Sequence, residues 1–372
     1  MTFILDDSRF NIVLDHDIIP WTGWPDSPGV TPSFADGNPG VFTVTDGGSA
    51  YYYIQGTKYV LGGNKSVNVT NTEGIWFIYF SGSTLTASQT PWTITDDDKA
   101  HVGYVLWDDT NKKHIFLGYE FHNYIMDAAT HSHFHNSIGA LWRSGLAVSD
   151  TGSDTVNVSA GVIADEDIEI SVTDATLTGT FDQALSPLEA PIYYLDSGNW
   201  RVLDTHDKNN ATDVGYVSGT DLQYNNAGAL AAVSSANHIA MWCLATNNMR
   251  KPTFDGGARL YAEPVIWLLG QRQDVTLAAA IDNNVFSGLS LDSALSQESV
   301  LLARVIIKES AAGLYYTIED ITDYRGTVSV GNGINIGVND HGALSGLGDD
   351  DHPQYRWDTD DNIIATQVFA RR

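Results

Sequence analysis

Short runs of β-branched and aromatic residues, cut every few positions by Gly, Asn, Asp or Ser, leave this chain little choice of fold. Tyr51-Tyr52-Tyr53-Ile54, Ser66 to Thr70, Gly74 to Phe80, Val102 to Trp107 and His114 to Leu117 are of this kind. Such side chains suit a pleated, half-buried surface, and the interruptions are turn formers. Asp108-Asp109-Thr110-Asn111 falls between two of the runs and reads as a hairpin loop. A second series follows: Thr155 to Val158, Ile168 to Val172, Pro191 to Leu195, Trp200 to Leu203, Ile239 to Leu244, Val265 to Leu269, Val300 to Ile307 and Leu314 to Ile318. Long stretches of helical period are nearly absent. The expected fold is therefore mainly β, with two antiparallel β-sandwich-like modules joined by a short helix and flanked by extended terminal segments.

The boundaries follow from shifts in texture. Residues 1–45 carry Pro20, Pro25, Pro28, Pro32 and Pro39, which argue against a central strand or long helix and for an extended arm. The segment reads as an arm along a neighbour or as a long surface excursion, and Trp21, Trp24, Phe34 and Phe42, costly to expose, favour the arm. The first β module is expected over 46–125 and the second over 145–325. Between them, 126–144 is a helical junction in which Asp127 caps the start, Ala128 and Ala129 favour helix, and Gly139 ends it. A further short helix is expected from Asp274 to Ala280. Residues 326–372 are polar and rich in Gly, Val and Asn, too short for a core of their own as a monomer, and read as an oligomerisation or connector segment. An internal echo pairs Trp76 to Tyr79 and Val102 to Val105 with Ala240 to Cys243 and Leu302 to Val305. It leaves duplication and chance recurrence of β-prone runs both open.

Charge narrows the partners. The 372 residues include 46 acidic and 19 basic side chains, a formal net charge of −27. Nucleic acid and anionic membrane surfaces call for clustered cations, so neither is an expected partner. Cys243 is the lone cysteine, which precludes an intrachain disulfide framework. No apolar run is long enough for a membrane-spanning helix.

The chemistry-bearing candidates are few. His131, His133 and His135 form an H-x-H-x-H run with His122 nearby, and imidazoles at this spacing are candidate ligands for a transition metal. The competing reading is hydrogen-bonded histidines at a domain junction. Ser132 stands where a zinc peptidase needs its Glu, so the run offers no general base. The acidic runs Asp96 to Asp98, Asp165 to Asp167 and Asp349 to Asp351 lack Ca²⁺-loop spacing and read as solvated turns. No nucleophile elbow, phosphate loop or dinucleotide fingerprint occurs. No catalytic residue is assigned, no other cofactor is expected, and the chain reads as a non-enzyme.

One further feature concerns a family. Asp340-His341-Gly342-Ala343-Leu344-Ser345-Gly346-Leu347-Gly348-Asp349-Asp350-Asp351-His352-Pro353-Gln354-Tyr355 closely resembles a segment of tailed-bacteriophage tail-fibre and virion structural proteins. The stretch from Met126 through His131 to Asn136, then Ser144-Gly145-Leu146, is similar to another part of that class. So are the surroundings of Thr90-Pro91-Trp92 and Ala245-Thr246-Asn247-Asn248. The resemblance implies a virion component made in the host cytoplasm, acting as a homotrimer with other phage tail or virion proteins. It implies a short tail fibre or a fibre-attachment adaptor. Asp340, His341, Gly342, Leu344, Gly346, Leu347 and Asp349 to Tyr355 form its assembly motif. In such fibres H-x-H repeats on a three-fold axis hold iron or another metal; here the run falls in a short helix instead. Two alternatives stand beside it: a receptor-binding β module recognising host surface glycans, and a polysaccharide depolymerase.

Overall fold

The computed structural model of the chain describes residues 21–326, apart from 26–28, 124–125, 175–179, 255–256, 259–261, 293–294, 296–297 and 311–314. The first twenty residues of the expected arm lie outside the described residues, and so does the assembly motif from Asp340 to Tyr355. What is described is mainly β, with several antiparallel sheets. Among these residues no helix is long and apolar enough to cross a membrane.

Two sheets organise the rest. A four-stranded antiparallel sheet runs in the order Thr84–Ser88, Gly74–Ser81, Ala100–Asp108, Lys113–Tyr119. A six-stranded sheet runs Asn199–Leu203, Ile192–Asp196, Val265–Asp274, His238–Thr246, Ser299–Glu309, Tyr316–Asp323, with one parallel pairing, between Ile192–Asp196 and Val265–Asp274. Its central strands are apolar on both faces because both faces are covered. Along His238–Thr246, Ile239, Met241, Cys243 and Ala245 enter one core with Ile163, Ile170 and Val172. The alternate residues Ala240, Trp242 and Leu244 enter another with Tyr104, Leu106 and Phe116 of the four-stranded sheet. A third core gathers Trp24, Phe42, Tyr52, Phe80 and Trp107. In each of the two echoing pairs, the two runs are antiparallel neighbours in one sheet: Trp76 faces Val105, and Cys243 faces Ala303.

The N-terminal expectation needs correction. Val30–Ala35 and Gly40–Asp46 form a hairpin, and Gly40–Asp46 is a central strand, paired on its other side with Lys65–Val69. Phe42 and Val44 are fully buried in it. The prolines are compatible because Pro32 lies in the outer strand and Pro39 just precedes the inner one, so the inner ladder loses no donor. Trp24 is buried within the same chain, whereas Trp21 stays 43% exposed.

The junction helix spans Ala128–Ser137. Asp127 accepts hydrogen bonds from the Ala129 and Thr130 amides at 3.0 Å each. Gly139 adopts φ 63° and donates to Phe134 O, a left-handed stop that favours glycine. The second helix lies at Leu277–Asn283, three residues beyond its expected place. Asp274 ends a strand instead, and Thr276 provides the cap by accepting from the Ala279 amide.

Polar groups tie the four-stranded sheet to the rest of the fold. Asn248 Oδ1 accepts from the Leu117 amide at 3.1 Å, and its Nδ2 donates to Glu263 O. Arg250 is 1% exposed; its Nε donates to His114 O at 2.9 Å and its Nη1 reaches Asp204 at 2.5 Å and Glu263 at 3.0 Å. Burial alone would raise the Asp204 carboxyl, but Arg250 and then Lys113 hold it well below its usual 3.8. Arg250→Met leaves two carboxylates buried without their cation and is expected to cost about 3–5 kcal/mol, read by urea unfolding at pH 7. A depressed folded value means that this contribution is complete above the unfolded value and is lost as the pH falls below it. The gap between the parent chain and the variant is therefore expected to hold down to about pH 5 and to shrink below about pH 4.

Candidate metal centre

Where strands leave the buried sheets, ionisable side chains collect. Glu120 and His122 follow the strand Lys113–Tyr119, and Glu298 immediately precedes Ser299–Glu309. Asp165 ends the strand Gly161–Asp165, and Glu166 and Asp167 make the two-residue turn into Ile168–Val172. Glu166 takes φ 44°, a left-handed conformation that costs energy for a residue bearing a Cβ where Gly would be at ease. The turn directs its carboxylates inward: the Glu166 side chain is 1% exposed. His131 and His135, one helical turn apart, enter the same space from the junction helix.

The separations are those of groups gathered about a common point. His122 Nδ1 meets Asp167 Oδ1 at 2.5 Å, which leaves Nε2 directed at Glu120 Oε2 (3.2 Å) and Glu166 Oε2 (3.9 Å). His131 Nε2 stands 3.8 Å from that same Glu166 Oε2. On the other side, His135 Nδ1 lies 3.4 Å from Glu166 Oε1 and 3.3 Å from Glu298 Oε1. Three sets can each offer converging ligand atoms: His122, His131 and Glu166; Glu120, His122 and Asp165; His135, Glu166 and Glu298. Among the described residues, His131 Nε2 and both oxygens of Glu166 have no hydrogen-bond partner.

The electrostatics are strained by this crowding. Burial, then Asp165 and Glu120, drives the Glu298 carboxyl well above its usual range, and burial with Glu166 pushes Asp165 up to about 6. Glu120 rises through burial, against the pull of His122. Burial and then His122 push His131 far below the normal histidine value. Burial would lower His122 too, but its hydrogen bonds to Asp167 and Glu120 outweigh it and hold the ring well above that value. No Lys or Arg among the described residues pairs with Glu120, Asp165, Glu166 or Glu298. Asn247 offers a neutral link, its Nδ2 donating to Asp165 at 3.1 Å and to Glu120 at 3.2 Å.

A cavity of about 300 Å³ opens beside the cluster. Glu120, His122 and His131 form its buried part, while Trp21, Asp96 and Asp97 line it farther out. His101 also borders it, stacked on Trp92 at 4.4 Å and lowered to about 3 by burial and then His122.

Of the three histidines picked from the sequence, the structure brings together His131 and His135. His133 is exposed on another face of the helix, as a position two residues from each must be. The Asp165 to Asp167 run, expected as a solvated turn, makes a turn with Asp167 exposed, but Asp165 is fully buried and the Glu166 carboxylate nearly so. Glu120 and Glu298 were missed, since isolated acids carry no signal in a chain with 46. No protein-family model, curated protein or solved structure matches the chain.

Asn247→Ala removes the donor shared by two buried carboxylates and is expected to lower stability by about 1–3 kcal/mol in urea unfolding. His133→Ala is expected to stay within about 0.5 kcal/mol of the parent.

Proposed function

We propose that this chain is a non-enzymatic structural component of a tailed-bacteriophage virion, a short tail fibre or the adaptor part of a composite one. It acts as a homotrimer and through contacts with other tail or virion proteins, as two sandwich-like β modules with a C-terminal assembly segment. The observation that carries this reading is the segment from Asp340 to Tyr355, whose sixteen residues closely resemble a segment of virion fibre proteins. The mainly β fold is compatible with it, and so is the joining of the four-stranded and six-stranded sheets through one apolar core and the buried Arg250, which suits a part that bears load. The net charge of −27 favours solubility before assembly and disfavours nonspecific binding to nucleic acid.

A receptor-binding role for the same protein is favoured by one feature. The half-exposed Trp21 ring shares a cavity with Asp96, Asp97 and Lys99, and a flat ring beside charged hydrogen-bonding groups suits a sugar face and its hydroxyls.

Light scattering on the full chain at micromolar concentration is expected to give three times the chain mass, and truncation after Arg325 to give the monomer. A monomeric full chain sinks the trimer. Labelling the protein on intact virions is expected to place it on the tail. Should a glycan array bind the protein, Trp21→Ala is expected to weaken that signal at least several-fold.

A further inference from the structure

Four buried carboxylates crowd beside the helix Ala128–Ser137, and no Lys or Arg among the described residues pairs with them. Taking an ionised carboxylate out of water costs several kcal/mol unless it is paired, and four of them share this site with three histidines. The geometry of Glu166 indicates how the charge is met. Its Oε2 stands 3.8 Å from His131 Nε2 and 3.9 Å from His122 Nε2, while its Oε1 stands 3.4 Å from His135 Nδ1. The two longer separations exceed a hydrogen bond. They are near the spacing of two ligands on one ion, about 3.4 Å for tetrahedral coordination with bonds of about 2.1 Å. The orphaned atoms, His131 Nε2 and both Glu166 oxygens, are the ones such an ion would engage. His122 is also held as a metal-bound imidazole would be, with Nδ1 on the Asp167 carboxylate and Nε2 directed inward.

We propose that the junction holds two divalent transition-metal ions bridged by Glu166. One ion is held by His122 Nε2, His131 Nε2 and Glu166 Oε2, with Glu120 beside it, and it borders the cavity. The other is held by His135 Nδ1, Glu166 Oε1 and Glu298 Oε1. Mixed imidazole and carboxylate donors select zinc, manganese, iron(II), cobalt or nickel; Ca²⁺ prefers oxygen alone, and copper(I) prefers sulfur. The ligands come from four separate segments, so the ions clamp the junction helix and the Glu166 turn to strand ends of both large sheets. The left-handed turn at Glu166 sets its two carboxylate oxygens between the histidines. This inference goes beyond the assembly role and does not rest on it.

The test is metal stoichiometry on the full chain. The protein is purified, stripped with dipicolinate and titrated with Zn²⁺ by calorimetry and with Co²⁺ by visible absorption. Two ions per chain are expected, with a melting temperature several degrees higher when loaded. His133→Asn is expected to retain both ions, His131→Asn to retain one, and Glu166→Gln to lose at least tenfold in affinity for both; circular dichroism checks their folding. Failure of the stripped parent chain to bind either metal overturns the centre. A stoichiometry of one overturns the bridge, as does a His131→Asn variant that binds like His133→Asn. If a variant does not fold, the titration of the parent chain alone decides.

Discussion

Burial of central strands on both faces sets the terms for the rest of this structure. In His238–Thr246 every residue is buried, with odd and even side chains feeding different cores. Ala100–Asp108 is buried along its whole length as well. In these two strands the ionisable side chains, His101, Asp108 and His238, stand at or next to the ends, and most of the polar chemistry gathers there and beyond. Asn247, Asn248 and Arg250 follow one such strand, Glu120 and His122 follow Lys113–Tyr119, and Glu298 precedes Ser299–Glu309. The ionic links between the sheets and the histidine–carboxylate cluster both arise from that placement.

The two polar assemblies solve the same physical problem differently. Around Arg250 the compensation is internal: one guanidinium faces Asp204 and Glu263, and its Nε donates to the His114 carbonyl. Around Glu166 the protein supplies acceptors and imidazoles but no guanidinium or ammonium among the described residues. Histidine can answer only in part, because burial first and the neighbouring His122 next depress the protonation of His131. Bound cations complete such a set without any further side chain, and they join segments that are far apart in sequence.

How far the residues alone foretold this depends on the kind of signal. The junction helix was legible because its stop and start are local chemistry, Asp127 on nearby amides and Gly139 in a left-handed turn. The strands were legible for the same reason, since β-branched and aromatic runs bounded by turn formers report on a few residues at a time. The hairpin at Val30–Ala35 and Gly40–Asp46 was misjudged because proline count says nothing about whether a proline lies on an outer or an inner strand. Within the cluster, the i, i+4 relation of His131 and His135 was readable, but their regular spacing wrongly drew in His133 as an equal partner.

The amino-acid order therefore established a mainly β chain, its acidic character and its histidine-bearing helix, because each of these is local or compositional. Folding alone chose which of 46 acids matter. Glu120, the adjacent Asp165 and Glu166, and Glu298 come from three distant stretches of the chain and look like any other acids until strand register and sheet packing bring their carboxylates around the same imidazoles. The physical reason is range: propensity and capping act over a few residues, whereas burial of charge is a property of the assembled core.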